Sequence, residues 1–320
     1  MRKNILTIAL VISLSVSALA AANSYHLLKT VVVAGAGGWD YLTVDDINRR
    51  LYISHETQVD VLDADSGTTV GKILNTPGVH GIAIAQELNR GFTTNGKSSS
   101  VTIFDLKTLV TLGQIPTGKK PDAIVFDPAT QRVFAMNGEG DSSTAIDAAT
   151  GKVVGTIDLG GGPEFATADD VGNVYVNLED NNQTLRIDSH KLTVKDRWGL
   201  APCKAPSSMA IDRETHRLFI GCRSHVMAVV NSDTGKVVTT LPIGDHVDAT
   251  AFDAGTSLIF NSTGEGVVYV FHEDSPDKYS ALQQISTRPG SKTMALDPKT
   301  HKLFIPATGS GGMEVLLFGW

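Results

Sequence analysis

Along this chain apolar and polar positions alternate for five or six residues, break at a turn, and resume, which is the pattern of half-buried β-strands. Past the first 23 residues no stretch keeps the 3.6-residue period of a helix for long. The strands fall into a longer phrase: a Pro- or Gly-containing start, a short apolar strand ending in Asp, a turn, and a second strand carrying an aromatic. The first strands end at Asp45, Ala85, Asp127, Asp169, Asp212, Asp253 and Asp297, so the copies lie roughly 40–44 residues apart, the period of a four-stranded propeller blade. Only Ala85 departs from Asp. The second strands align an aromatic column at Tyr52, Phe92, Phe134, Tyr175, Phe219 and Phe304, with Ile259 in the sixth copy. Third strands end near Asp63, Asp105, Asp147, Asp188, Asn231 and His272, and turns such as Asp65-Ser66-Gly67 lead into a fourth. The last copy stops after its third strand, whereas residues 28–33 precede the first copy and read as an outer strand. The sequence therefore predicts an all-β fold, a seven-bladed β-propeller of four-stranded antiparallel blades. The N-terminal strand joins the last blade and closes the ring, which leaves no open sheet edge between first and last blades.

The second-strand tetrads Tyr52-Ile53-Ser54-His55, Phe92-Thr93-Thr94-Asn95 and Phe134-Ala135-Met136-Asn137 resemble the Tyr-Val-Thr-Asn signature of the YVTN-family β-propeller repeats. So does the turn Asp127-Pro128-Ala129-Thr130-Gln131-Arg132, echoed at Asp297-Pro298-Lys299-Thr300. The likeness covers residues 28–318 and weakens at Leu178, Cys222, Ser262 and Ala307. It implies the propeller fold and no catalytic residue, since the repeat signature is architectural and this scaffold hosts many functions.

Composition adds an address. Arg2 and Lys3, an apolar run over residues 5–16 and Ala18-Leu19-Ala20 form a signal peptide. It is expected to occupy residues 1–22, leaving residues 23–320 as a single domain that is periplasmic or secreted and monomeric. The 27 basic residues are outnumbered by 34 acidic ones and form no block, which argues against nucleic acid or an anionic membrane as partner. No membrane span is expected after cleavage. The two cysteines, Cys203 before the fifth inner strand and Cys222 at the end of the strand after it, are expected to form a disulfide in an oxidising compartment. The rival reading is a soft-metal set of Cys203, Cys222, His225 and Met227.

Candidate chemistry lies five residues before each repeat anchor, where the inner strand starts at one end of the central channel. That column reads Asp40, His80, Asp122, Glu164, Ser207, Asp248 and Lys292, every member polar, with Trp39 beside it as an apolar wall. Crowded carboxylates raise one another's pKa values, and a cation, an amine or a polyhydroxylated ligand relieves the repulsion. Three functions remain open: binding of a small molecule or protein at this mouth, a hydrolase- or lactonase- or lyase-like activity, metal-assisted or not, with His80 or Glu164 as base and Lys292 holding an anion, and a structural module of the cell envelope. No metal is assigned. Asp40, His80, Asp122 and Glu164 come from neighbouring blades and three of them can converge, but no local ligand spacing supports it. No cofactor is expected either, since neither CxxCH nor a phosphate or dinucleotide loop is present.

Overall fold

A computed structural model describes residues 24–35 and 37–320, so the expected leader, residues 1–22, lies outside the described residues. Seven four-stranded sheets follow one another, each strand hydrogen-bonded antiparallel to the next. The inner strands of blades 1 to 6 are Trp39–Asp45, Val79–Ala85, Pro121–Asp127, Pro163–Ala168, Pro206–Asp212 and Val247–Asp253. Blade 7 starts with the short Ala295–Asp297, continues through Lys302–Gly309 and Gly312–Gly319, and is completed by His26–Val33. This last strand pairs antiparallel with Gly312–Gly319, so the two ends of the described chain are joined through one sheet as the sequence predicts. Among the described residues no helix is long and apolar enough to cross a membrane.

The core is distributed around the ring. Seven clusters of buried side chains each fill one blade–blade interface. Tyr52 lies in the cluster between blades 1 and 2, Phe92 between 2 and 3, Phe134 between 3 and 4, and the series continues to Phe304 between 7 and 1. One expectation is corrected here. In blade 6 Asp253 pairs with Leu258, as Asp45 pairs with Arg50 in blade 1. The aromatic position is therefore Phe260, buried between blades 6 and 7, and the column is unbroken. Ile259 points the opposite way, into the interface between blades 5 and 6, because a one-residue change of register sends a strand side chain to the other face. The fourth tetrad position of that blade is Thr263 instead of Ser262.

The anchor aspartates explain the turns. Asp127 accepts from the Ala129 amide and the Thr130 hydroxyl, and Asp212, Asp253 and Asp297 repeat that arrangement with Thr215, Thr256 and Thr300. These are Asx turns, in which a short carboxylate supplies the acceptor that the turning backbone lacks. At Ala85, where no such acceptor exists, the chain makes a short 3₁₀ turn, Gln86–Leu88, instead.

Candidate functional site: the polar mouth of the ring

A β-bulge sits near the start of the inner strand in each of the first six blades. Pairing slips by one residue between Trp39 and Leu42, Val79 and Ile82, Pro121 and Ile124, Pro163 and Phe165, Pro206 and Ser208, and Val247 and Ala249. The residue left inside each slip includes the position five before the anchor. A bulged residue is freed from the ladder and its side chain is re-aimed, which turns this column toward the axis.

Six of the seven polar residues in the column come together in two groups. In blades 1 to 3 His80 Nδ1 lies 2.5 Å from Asp40 Oδ2 and 3.7 Å from Asp122 Oδ1. In blades 4 to 7 Lys292 donates to Asp248 at 2.5 Å, and Arg223 contacts Glu164 at 3.2 Å, Asp248 at 3.7 Å, and Glu179. Ser207 takes a different place: it is fully buried and its hydroxyl donates to the Val247 carbonyl at 2.6 Å, linking blades 5 and 6. Trp39 packs against the cluster between blades 7 and 1.

Arg223 and Glu179 fall outside the column, so aligning inner strands misses them. Each directly follows a second strand: Glu179 comes after Leu178, and Arg223 after Cys222. Their signal in the sequence is one residue past the tetrad. Cys222 is bonded to Cys203, with Cα atoms 5.7 Å apart, and pairs in register with Pro206. The expected disulfide is present and excludes the soft-metal alternative, since both thiols are consumed. It also fixes the loop bearing Arg223, whose amide donates to the Ala205 carbonyl at 3.0 Å.

The residues next in line are small in most blades, as at Gly81, Ala123, Ser208, Ala249 and Thr293, but Tyr41 and Phe165 are large. Their rings, from blades 1 and 4, meet with centroids 5.7 Å apart. They border an axial cavity of about 110 Å³ with Gly81, Ala123, Ala249 and Met294. The mouth is thus a cup with charged walls and an aromatic floor.

Charge and burial set the protonation of this cup. Burial, reinforced by Asp122, Glu179 and Asp248 and opposed by Arg223, pushes Glu164 up to about 8. Burial likewise raises Asp122 to about 6, with His80 opposing and Asp40 and Asp248 adding to it. Asp248 and Glu179 are raised, again by burial first. His80 is raised by its hydrogen bond to Asp40. Burial opposes the charge on Lys292, and Asp248 outweighs it, so the ammonium is held more firmly than usual. The Tyr41 phenol is held neutral by burial and then by four surrounding carboxylates, those of Asp122, Asp40, Asp248 and Glu164. Such a cup holds more carboxylates than cations.

No family profile matches this chain. No curated protein matches it either. Among solved structures, hydrazine synthase of Kuenenia stuttgartiensis is similar with a TM-score of 0.76 at 15% identity, covering 91% of this chain and 98% of that one. A chain in the crystal structure of a mitotic checkpoint complex is similar with a TM-score of 0.81 at 14% identity, covering 100% of this chain and 99% of that one. Two such different proteins share the architecture, and 1785 solved chains match, so the likeness establishes the fold alone.

Proposed function

We propose that this chain is an exported propeller of the YVTN-repeat type whose mouth binds a cationic guest, a small organic amine or a basic side chain of a protein partner. The observation that carries this reading is the convergence of Asp40, Asp122, Glu164, Glu179 and Asp248 over the paired rings of Tyr41 and Phe165. An ammonium in such a cup gains from the carboxylate walls and from the face of an aromatic floor. Small-molecule sites are concave, with apolar walls and a few convergent polar groups, and the cup has that form.

Repeat identity is supported by the structural part the tetrads play. Asn95 and Asn137, the fourth residues of their tetrads, are buried and donate to hydroxyls on the neighbouring strand. Export is supported by the Cys203–Cys222 bond, which belongs to an oxidising compartment, together with the leader-like first 22 residues. Fractionation of the host cell, with the mass of the unreduced protein after alkylation, tests it; cytoplasmic protein with two alkylated cysteines would refute export.

Calorimetric titration with a linear triamine at low salt tests the binding reading. Binding that weakens with added salt and is lost in the Asp122→Asn/Glu164→Gln double variant is the expected result. A triamine that fails to bind, or that binds the double variant equally well, refutes it.

A further inference from the structure

We infer that blades 1 to 3 hold a divalent first-row transition-metal ion between Asp40, His80 and Asp122. The inference rests on the mouth being a ligand site and names a guest for one half of it. One ligand atom from each of the three side chains lies within 4.8 Å of the others. Bound to one ion at 2.0–2.2 Å, three such donors would stand roughly 3–3.5 Å apart, so His80 and Asp40, now hydrogen-bonded at 2.5 Å, part slightly as the ion takes the place of the shared proton. His80 Nδ1 and Asp122 Oδ1, now 3.7 Å apart, need only a slight approach.

The two halves of the mouth differ in how their carboxylates are spent. Around Arg223 and Lys292 each acid already has a permanent cation. Among the described residues Asp40's carboxylate has only His80 as a hydrogen-bond partner, and no hydrogen bond reaches the carboxylate of Asp122. Their lone pairs are available, and all three side chains keep about a quarter of their surface open to the cup, 23% for Asp40, 28% for His80 and 22% for Asp122. An ion placed there has protein donors on one side and free positions facing solvent, the open type of metal site.

The supports are rigid. Each donor stands at the equivalent bulge of successive blades, and the backbone beneath is pinned: Thr293 donates to the Asp40 carbonyl at 2.7 Å, and Thr94 donates to the Asp122 carbonyl. The His80 ring lies over Gly96, where a Cβ would stand 3.2 Å from Nε2 and Cδ2. A glycine at that point gives the imidazole its place. One imidazole nitrogen and two carboxylates suit zinc, manganese, iron(II) or cobalt(II). They are too few and too nitrogenous for calcium, which takes six to eight oxygens.

The test is titration of chelator-treated full-length protein with cobalt(II), followed by visible absorption and by calorimetry. One ion per chain is expected, with a d–d band that reports a nitrogen-containing site. His80→Ala and Asp122→Asn should each weaken binding at least about tenfold, the scale seen even for residues that only orient metal ligands. Replacing the exposed His272, which pairs with Asp274 on the hairpin of blade 6, should change nothing. The inference fails if cobalt does not bind, or if binding survives both Asp122→Asn and His80→Ala in variants whose circular dichroism is unchanged. Triamine titration without metal separates the two readings: triamine binding without cobalt binding overturns the metal alone, and loss of both overturns the mouth as a ligand site.

Discussion

Blades 1 to 3 and blades 4 and 5 solve the same structural problem with different chemistry. The problem is to anchor the end of the second strand, directly beneath the mouth. In blades 2 and 3 the tie is an asparagine: Asn95 donates to Ser100 and Thr102, and Asn137 to Ser142 and Thr144, at 2.8–3.1 Å. Blade 1 uses His55 against Asp60, 2.6 Å apart and both buried. Blade 4 has Leu178 and Leu185 in one apolar cluster, and blade 5 replaces the asparagine by Cys222, whose disulfide runs the other way, to Cys203 ahead of the inner strand. The facing strand changes in step, since the positions that carry Ser100 and Thr102 in blade 2 carry Val226 and Ala228 in blade 5. A buried polar group persists only where a partner exists. Substituting one side of the tie requires substituting the other, and the repeats have diverged in matched pairs. The mouth above divides similarly, with a titratable histidine serving the acids of blades 1 to 3 and permanent cations serving those of blades 4 to 7.

Breaking the covalent tie should have the largest effect. The bond spans a sequence separation of 19, and in the loop-entropy picture a closure of that size contributes about 3 kcal/mol. Cys203→Ser/Cys222→Ser should lower the urea midpoint accordingly while leaving the seven blades in place. It should also loosen Arg223, the residue after Cys222, and so weaken its hold on Glu164. An unchanged midpoint would mean that the fold already fixes this loop without the bond.

Next comes the polar tie. Asn137→Ala removes a fully buried amide that donates to Ser142 and Thr144, of which Ser142 is partly exposed and Thr144 keeps the Gly118 amide as a donor, and about 1 kcal/mol of stability should go with it. Cys222→Asn in a Cys203→Ser background should not recover what the disulfide lost, because Val226 and Ala228 offer the amide no side-chain partner. Recovery would break the matched-pair argument. Denaturant midpoints of the two variants decide it.

How much of this was legible in the sequence follows from the range of each interaction. The blade count, ring closure and disulfide were readable because repeat spacing, strand pairing and cysteine placement are local or periodic signals. The slip at Ile259 shows the weak point of that reading. A single-residue offset is invisible in spacing alone, and only the interface that Phe260 fills resolves it. The column was readable at Asp40, His80, Asp122, Glu164 and Asp248, since one repeated bulge re-aims it, and Lys292 of blade 7 joins them at the same spacing without a bulge. Arg223, Glu179 and the crossing of Tyr41 with Phe165 were not. Arg223 and Glu179 sit one repeat apart but just past the second strand, outside the column of inner-strand positions, and nothing in a 40-residue period encodes that Tyr41 of blade 1 meets Phe165 of blade 4.

A change with a sharper signature is expected from pH. Glu164 is lifted from 4.5 to about 8 by burial and by its acidic neighbours. The folded form therefore keeps a proton that the unfolded chain releases, and stability falls as pH rises from about 4.5 through about 8. Glu164→Gln should flatten that part of the stability–pH curve, whereas the same measurement on Glu139→Gln, an exposed acid paired with Lys119 and Lys120, should retain the slope. A slope of opposite sign would show that Arg223 outweighs burial at Glu164.

The smallest change separates the two cations of blades 4 to 7. Lys292 meets the single carboxylate of Asp248 with 48% of its side chain exposed, so water screens the pair and removing it should cost less than about 1 kcal/mol. Arg223 reaches three carboxylates from a loop held by the disulfide, and its planar fork keeps several donors aligned at once, which an ammonium cannot do. Lys292→Met should thus leave the denaturation midpoint almost unmoved, and Arg223→Met should move it further, most at alkaline pH where Glu164 ionises. If the two substitutions proved equal, the mouth would be held by its net charge alone, and the placement of Arg223 beside the Cys203–Cys222 bond would have no energetic consequence.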